Sequence, residues 1–307
     1  MPSAIWIFEI DSSFGPNILA EYYLDKDDKI PPAILKEFSE KHIKKEFIDA
    51  TARKENLRYY SKKINAESLN KDNLYLGFSL RESEDLVSIK SIFKKIEESI
   101  IQNFTNEKSK MDELLKNALN SILSLMEKLK EPSIVKETIN EKTKQLLDEE
   151  KLQEARELID LGEEIPKKLS AEVRLGEQFL KEKSYKKAKR SFLKAAEFAA
   201  IIQEDEIVSF LENKAEQVGN FPILIKEHET LYKDLENVFN ELENNKLYLY
   251  GDLAEPIDRL LYIANSLEEN ELSETLTELR KNTYNATQLA KELYRLDKKI
   301  RELFKKI

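Results

Sequence analysis

The sequence predicts an α+β N-terminal domain, an antiparallel sheet with flanking helices, followed by an all-α domain of helical hairpins; the chain is mainly α overall. Three observations lead there. Glycine (6) and proline (8) are scarce over 307 residues, whereas turn-rich β architectures need them often. The first hundred residues alternate aromatic and β-branched runs with turn-forming segments. Beyond residue 106, apolar residues return every three or four positions almost without interruption.

The first strand is AIWIFEI (4–10) and the second ILAEYYL (18–24). The intervening DSSFGPN supplies Ser, Gly, Pro and Asn, so these runs read as a hairpin turning at Gly15-Pro16. Pro31 and Pro32 then open a helix over residues 33–47, with Ile34, Leu35, Phe38, His42, Ile43 and Phe47 at helical spacing; proline suits a first helical turn, where its missing N–H is not needed. LRYYSKKI (57–64) and LYLGFSL (74–80) form a second hairpin. Ser83 can cap the next helix, whose apolar face is Leu86, Ile89, Phe93, Ile96, Ile100 and Phe104. The order is ββαββα, with room for an extra strand near 47–52.

In the helical part, Leu114, Leu115, Ala118, Ile122, Leu125 and Leu129 mark a helix ending near Pro132. Further helices fit 134–149, 152–164, 168–182, 185–202 and 206–218, with Pro166 and Pro222 as punctuation. Three more fit 223–244, 252–268 and 271–307, the first two joined by KLYLYGD. Leu289, Leu293, Leu296, Ile300, Leu303 and Ile307 alternate by four and three, a short heptad seam. The domains are thus 1–104 and 105–307.

Composition excludes several functions. The net charge is −9, with 16 basic and 18 acidic side chains in residues 1–104 and 34 and 41 beyond. Such a mixed, acidic surface repels phosphate backbones, so nucleic acid is not expected as a partner, and pairs such as Lys186-Lys187 read as solvated helix faces. There is no cysteine, which removes disulfides, thiolate nucleophiles and thiolate metal ligands and fits a cytoplasmic location. No window has the ~18 apolar residues of a membrane span, and the N-terminus lacks a signal-peptide pattern.

No catalytic, cofactor-binding or metal-ligating residue is expected. The two histidines, His42 and His228, fall in different predicted domains, His42 as a packed residue and His228 among charges. The closest glycines, Gly162 and Gly176, are too far apart for a phosphate-binding loop. Glu204-Asp205-Glu206 lacks the calcium-loop pattern and reads as helix-start charge. Trp6, the sole tryptophan, reads as core.

The segment AEVRLGEQFLKEKSYKKAKRSFLKAAEFAA resembles a tetratricopeptide repeat (TPR). Leu175, Gly176, Phe179, Tyr185, Ala188, Phe192 and Ala195 fall where the 34-residue motif wants leucine, small, aromatic, aromatic, small, aromatic and small residues. Glu172 and Ala200 depart from its tryptophan and proline positions. A weaker copy, with Leu146, Leu152, Ala155, Ile159 and Gly162, lies about 33 residues upstream. The resemblance implies a TPR-like array whose groove-facing, protein-binding positions include Val173, Glu177, Leu180 and Lys181. Family members that grip a C-terminal carboxylate use lysine and asparagine where Val173 and Glu177 stand here, which argues against that clamp. Residues FEIDSSFGPNILAEYY and the strand order resemble the longin and roadblock-like superfamily, which sets helices against an antiparallel sheet of about five strands.

Together these resemblances imply a non-enzymatic adaptor or scaffold of the cytoplasm. The longin-like domain would dock a small GTPase or vesicle-trafficking component, the helical array would bind a second protein, and membrane association would be peripheral, through a partner. The alternative is a structural protein that forms a homo-oligomer through the heptad helix.

Overall fold

The computed structural model describes residues 2–306 apart from 12, 26, 27, 45, 46, 70, 82, 83, 243–245 and 268. Ser83, expected as a cap, and Ile307, the last seam position, lie outside the described residues. The chain forms two compact units, Met1–Gly219 and Asn220–Ile307.

The first unit opens with five strands: β1 Ala4–Asp11, β2 Gly15–Tyr23, β3 Asp49–Lys54, β4 Leu57–Lys63 and β5 Leu74–Arg81. They form one antiparallel sheet of order β2-β1-β5-β4-β3. The extra strand near 47–52 is thus β3. Alternation along β1 sends Ala4, Trp6, Phe8 and Ile10 to one face, where Ile34, Leu35 and Phe38 of α1 (Pro32–Ser39) cover them. On the opposite face Tyr60 and Phe78 meet Phe93 of α2 (Leu86–Gln102) edge-on, with ring centroids 6.2 and 6.3 Å away. Trp6 is fully buried, as expected of a core residue, and lies over Gly77 of β5; a Cβ there would sit 2.3 Å from the indole.

Two expectations for this region shift. Gly15-Pro16 does not form the turn but opens β2, paired with Asp11 and Ile10. The turn comes earlier because the Asp11 carboxylate accepts the Ser13 and Phe14 N–H groups at 2.7 and 3.0 Å. Gly15 takes φ +83°, which glycine adopts freely, and Pro16 is tolerated because β2 is an edge strand. The helix expected over 33–47 stops at Ser39 and continues as a π turn, Glu40–Lys44. There the His42 ring turns inward to Ser61.

Four further helices and the start of a fifth complete the unit: α3 Lys108–Lys130, α4 Pro132–Asp148, α5 Leu152–Lys181, α6 Tyr185–Ile201, and α7 Asp205–Leu242 as far as Gly219. α3 lies along β2, and its Asp112 carboxylate accepts the Glu21 N–H at 3.0 Å. α5 runs unbroken where two helices were expected. Its buried stripe, Ala155, Leu158, Gly162, Ile165, Leu169, Val173 and Gly176, keeps its three-and-four spacing through Pro166, so packing holds the helix past the residue that should end it. Proline crowds the carbonyl four residues back; here that residue is Gly162, whose backbone yields most readily. α7 likewise continues through Pro222.

Helices α4, α5, α6 and α7 are joined by three turns of one design. Glu150, Lys183 and Gln203 all take positive φ. In each turn the next residue's N–H reaches back to the carbonyl five positions earlier, at Leu146, Phe179 and Ala199, over 2.8 to 3.0 Å. These are Schellman caps made without glycine. Across the second turn Phe192 of α6 packs on Gly176, where a Cβ would lie 2.5 Å from the ring. Ala188 and Ala195 are fully buried beside it.

In the second unit, the rest of α7 is followed by a 3₁₀ segment, Leu247–Leu253, then α8 Ala254–Ser266 and α9 Asn270–Phe304. Its core gathers Leu253, Ile257, Leu260, Leu261, Ile263 and Leu276. Arg259 of α8 grips the Glu227 carboxylate through two N–H groups at 2.6 and 2.8 Å. Among the described residues no helix is long and apolar enough to cross a membrane.

Candidate functional site

The first unit holds a cavity of about 280 Å³ between the start of α2, the end of α3, α5 and α7. All four groove positions named from the sequence, Val173, Glu177, Leu180 and Lys181, line it. Val173 is only 2% exposed, Glu177 and Leu180 are half-buried, and Lys181 is exposed. Across the cavity stand Leu80, Glu84, Asp85 and Ser88, with Phe210 and Lys214 of α7. The surface that the repeat resemblance would leave open therefore faces the chain's own sheet layer.

Asp85 is the N-cap of α2, where its extended backbone lets the carboxylate turn back to accept the Val87 N–H at 2.8 Å. That role was expected of Ser83. The other carboxylate oxygen accepts the Ser88 hydroxyl at 2.9 Å and pairs with the Lys214 ammonium at 2.7 Å. Lys214 also donates to Ser88 Oγ at 2.8 Å and lies 3.8 Å from Glu177. Its cation stands over the Phe192 ring, 4.7 Å from the centroid.

Lys214 is 2% exposed on its side chain because it occupies the apolar stripe of α7, among Ile207, Phe210, Leu211, Ala215 and Val218. A lysine so placed must meet a counter-charge, since an unpaired buried ammonium is costly. Burial pushes the Asp85 carboxyl up, but the Lys214 charge and the hydrogen bonds from Lys214, Ser88 and Val87 outweigh it and hold the group below its ordinary value.

A second buried charge has the same construction. Glu204 takes Lys142 at 2.6 Å and Lys128 at 3.6 Å. It stands at the start of α7, as the sequence reading expected, and is enclosed as a counter-charge there. Ser170 and Arg174 of α5 both donate to the Lys130 carbonyl at the end of α3, at 3.1 and 3.0 Å.

Ser88 and Lys214 are spaced like the nucleophile and base of a hydrolase. Here Lys214 is ion-paired with Asp85, and the Ser88 hydroxyl donates to the same carboxylate. What this arrangement does is tie α2, α5, α6 and α7 to one another.

His42 lies elsewhere, packed as expected. A carbonyl only accepts, so Nδ1 carries the proton donated to Phe47 O at 2.6 Å, and Nε2 accepts the Ser61 hydroxyl at 2.6 Å. The ring packs on Tyr75, centroid to centroid 4.3 Å. Burial pushes its pKa down to about 4, so the ring is neutral near pH 7. Ile43 and Ile48 line a hollow beside the His42 ring and are exposed. His228 is half-buried in the second unit. Among the described residues no group of three or more His, Asp or Glu side chains is placed to hold a metal ion.

The Lys214 cluster was not singled out from sequence, although its signal was present: a lysine at the centre of an otherwise apolar helical stripe. No protein-family model matches the chain, and neither a curated protein nor a solved structure does.

Proposed function

We propose that the chain is a non-enzymatic protein–protein adaptor. Its longin-like sheet domain docks a small GTPase or trafficking component, and its TPR-like helices bind a second protein. The observation that supports this best is the architecture of the first unit. A five-stranded antiparallel sheet with helices on both faces is the arrangement the longin resemblance implies, and it precedes helices joined by matching turns. Two buried charges of the unit, Lys214 and Glu204, are held in ion pairs between helices, as suits a scaffold.

On this reading Ile43 and Ile48, exposed beside β3, belong to the GTPase-facing surface. Glu177, Leu180 and Lys181 meet the second protein at the cavity mouth, with Val173 supporting them from within.

The test keeps the chain whole, because removing residues 1–104 would strip α3 of its cover on β2. The immobilised chain is titrated with purified small GTPases of the source organism, loaded with GDP or a non-hydrolysable GTP analogue. Saturable, nucleotide-dependent binding is expected, weakened at least about tenfold by Ile43→Asp with Ile48→Asp. Absence of binding to any of them, or binding that ignores these substitutions, removes the longin part of the proposal.

A further inference from the structure

The last part of α9 is amphipathic, and among the described residues none of its side chains is buried. Every residue from 291 to 306 is exposed, among them Leu293, Leu296, Ile300 and Leu303, each with more than half of its surface in solvent. With Leu289, these side chains form one stripe at alternating steps of four and three. Such a stripe has the spacing of the seam of a two-stranded coiled coil.

We infer that this seam is covered by the same segment of a second copy, running antiparallel. The flanking charges choose both the occupant and the direction. With Leu293 and Ile300 at the a positions and Leu289, Leu296 and Leu303 at the d positions, Glu292 and Lys299 occupy g and Asp297 occupies e.

In a parallel pair each g residue faces the e residue five positions on in its partner. Glu292 then meets Asp297 of the other copy, and this like-charge contact occurs twice. In an antiparallel pair g faces g. When Leu293 of one copy packs on Leu296 of the other, Leu289 packs on Ile300, and Glu292 comes opposite Lys299 on both sides. The antiparallel register therefore buries the four central apolar layers and makes two attractive contacts where the parallel one makes two repulsive ones. Asp297 is meanwhile occupied by Arg301 one turn along its own helix, at 2.7 Å, and stays outside the seam.

This inference does not depend on the adaptor reading. It is tested on the full chain by sedimentation equilibrium over a wide concentration range. The mass is expected to approach twice the 35.9 kDa of one chain and to return to that value with Leu293→Asp and Ile300→Asp, substitutions on exposed positions that leave the helical circular dichroism signal of the packed units in place. A wild-type chain that stays monomeric, or a dimer indifferent to those substitutions, overturns the proposal.

Direction is read from Glu292→Lys. In the antiparallel pair it sets two lysines against Lys299 and weakens association about fivefold, and adding Lys299→Glu restores it. In a parallel pair Glu292→Lys relieves the clash with Asp297 and tightens association. That result overturns the antiparallel assignment.

Discussion

Lys214 reaches out of the apolar stripe of α7 to place its ammonium 2.7 Å from the carboxylate of Asp85, the residue that caps α2. One ion pair thus ties the first turn of a sheet-covering helix to the helical stack. Replacing Lys214 by Met leaves Asp85 without its counter-charge, and a loss of about 3 to 5 kcal/mol is expected in urea unfolding. Combining Lys214→Met with Asp85→Asn recovers part of this, because the uncompensated carboxylate is then gone. A double variant no better than the single would show that the pair is not the unit that matters.

The same contact sets an acid limit. The Asp85 carboxyl is held below its ordinary value of 3.8. The unfolded chain therefore binds its proton first, and this contribution is complete above that value and disappears as pH falls through the lower, folded one. The difference in stability between wild type and the Asp85→Asn variant should be constant at neutral pH and shrink only below about 4.

His42 acts at milder acidity. Burial, the largest cause, brings its pKa to about 4 from an unperturbed 6.5, so between these values the unfolded state holds the extra proton and stability rises with pH. On acidification from 6.5 to 4 the wild type should lose about 3 kcal/mol relative to His42→Gln. Thermal melts of both proteins at pH 7, 6, 5 and 4.5 check this. A constant difference would mean that the ring titrates normally.

Gly176 stands against Phe192 with no room for a methyl group. Alanine favours helix over glycine by about 1 kcal/mol, yet Gly176→Ala should destabilise by about 1 to 3 kcal/mol, because the aromatic ring is itself fully buried and has little space to retreat. Adding Phe192→Leu should make the alanine far better tolerated. If Gly176→Ala alone proves stabilising, the ring is looser than its burial implies.

The turns between helices predict the reverse sign. Lys183 holds φ +55°, a conformation costing a side-chain-bearing residue about 1 kcal/mol or more. Lys183→Gly should therefore raise stability by up to about 1 kcal/mol, and the same change at Glu150 and Gln203 should behave alike. Chemical denaturation of the three single variants and their combination measures the effect and its additivity.

Four strands were readable because they carry aromatic and β-branched runs, whereas β3, DATARK, has only Thr51 of that kind; the stripe of α2 was readable because Leu86, Ile89, Phe93, Ile96 and Ile100 recur at helical spacing and are all buried. What misled was proline. Pro16 marked a turn that the Asp11 side chain makes instead, and Pro166 marked a break that a continuous buried stripe overrides. Local residue preference competes with packing, and at both places a neighbouring glycine eases the conflict. The Lys214 contact was harder to anticipate, since its partner Ser88 is 126 positions away and nothing local to Asp85 announces the lysine. The cavity positions on α5 were identified from the motif, but the side chains facing them come from three other helices and the last strand.

The two borders of the sheet carry a last consequence. An open strand margin invites other chains to hydrogen-bond onto it, the usual route to fibres and to recognition by strand addition. Here the Glu21 N–H of β2 is already taken by Asp112, and the Thr51 carbonyl of β3 by the Lys41 ammonium at 2.6 Å. With a side chain plugging each margin, a newcomer strand must first evict a charged group, so the sheet resists polymerising. Molecules that bind this layer must read its side chains rather than extend its ladder.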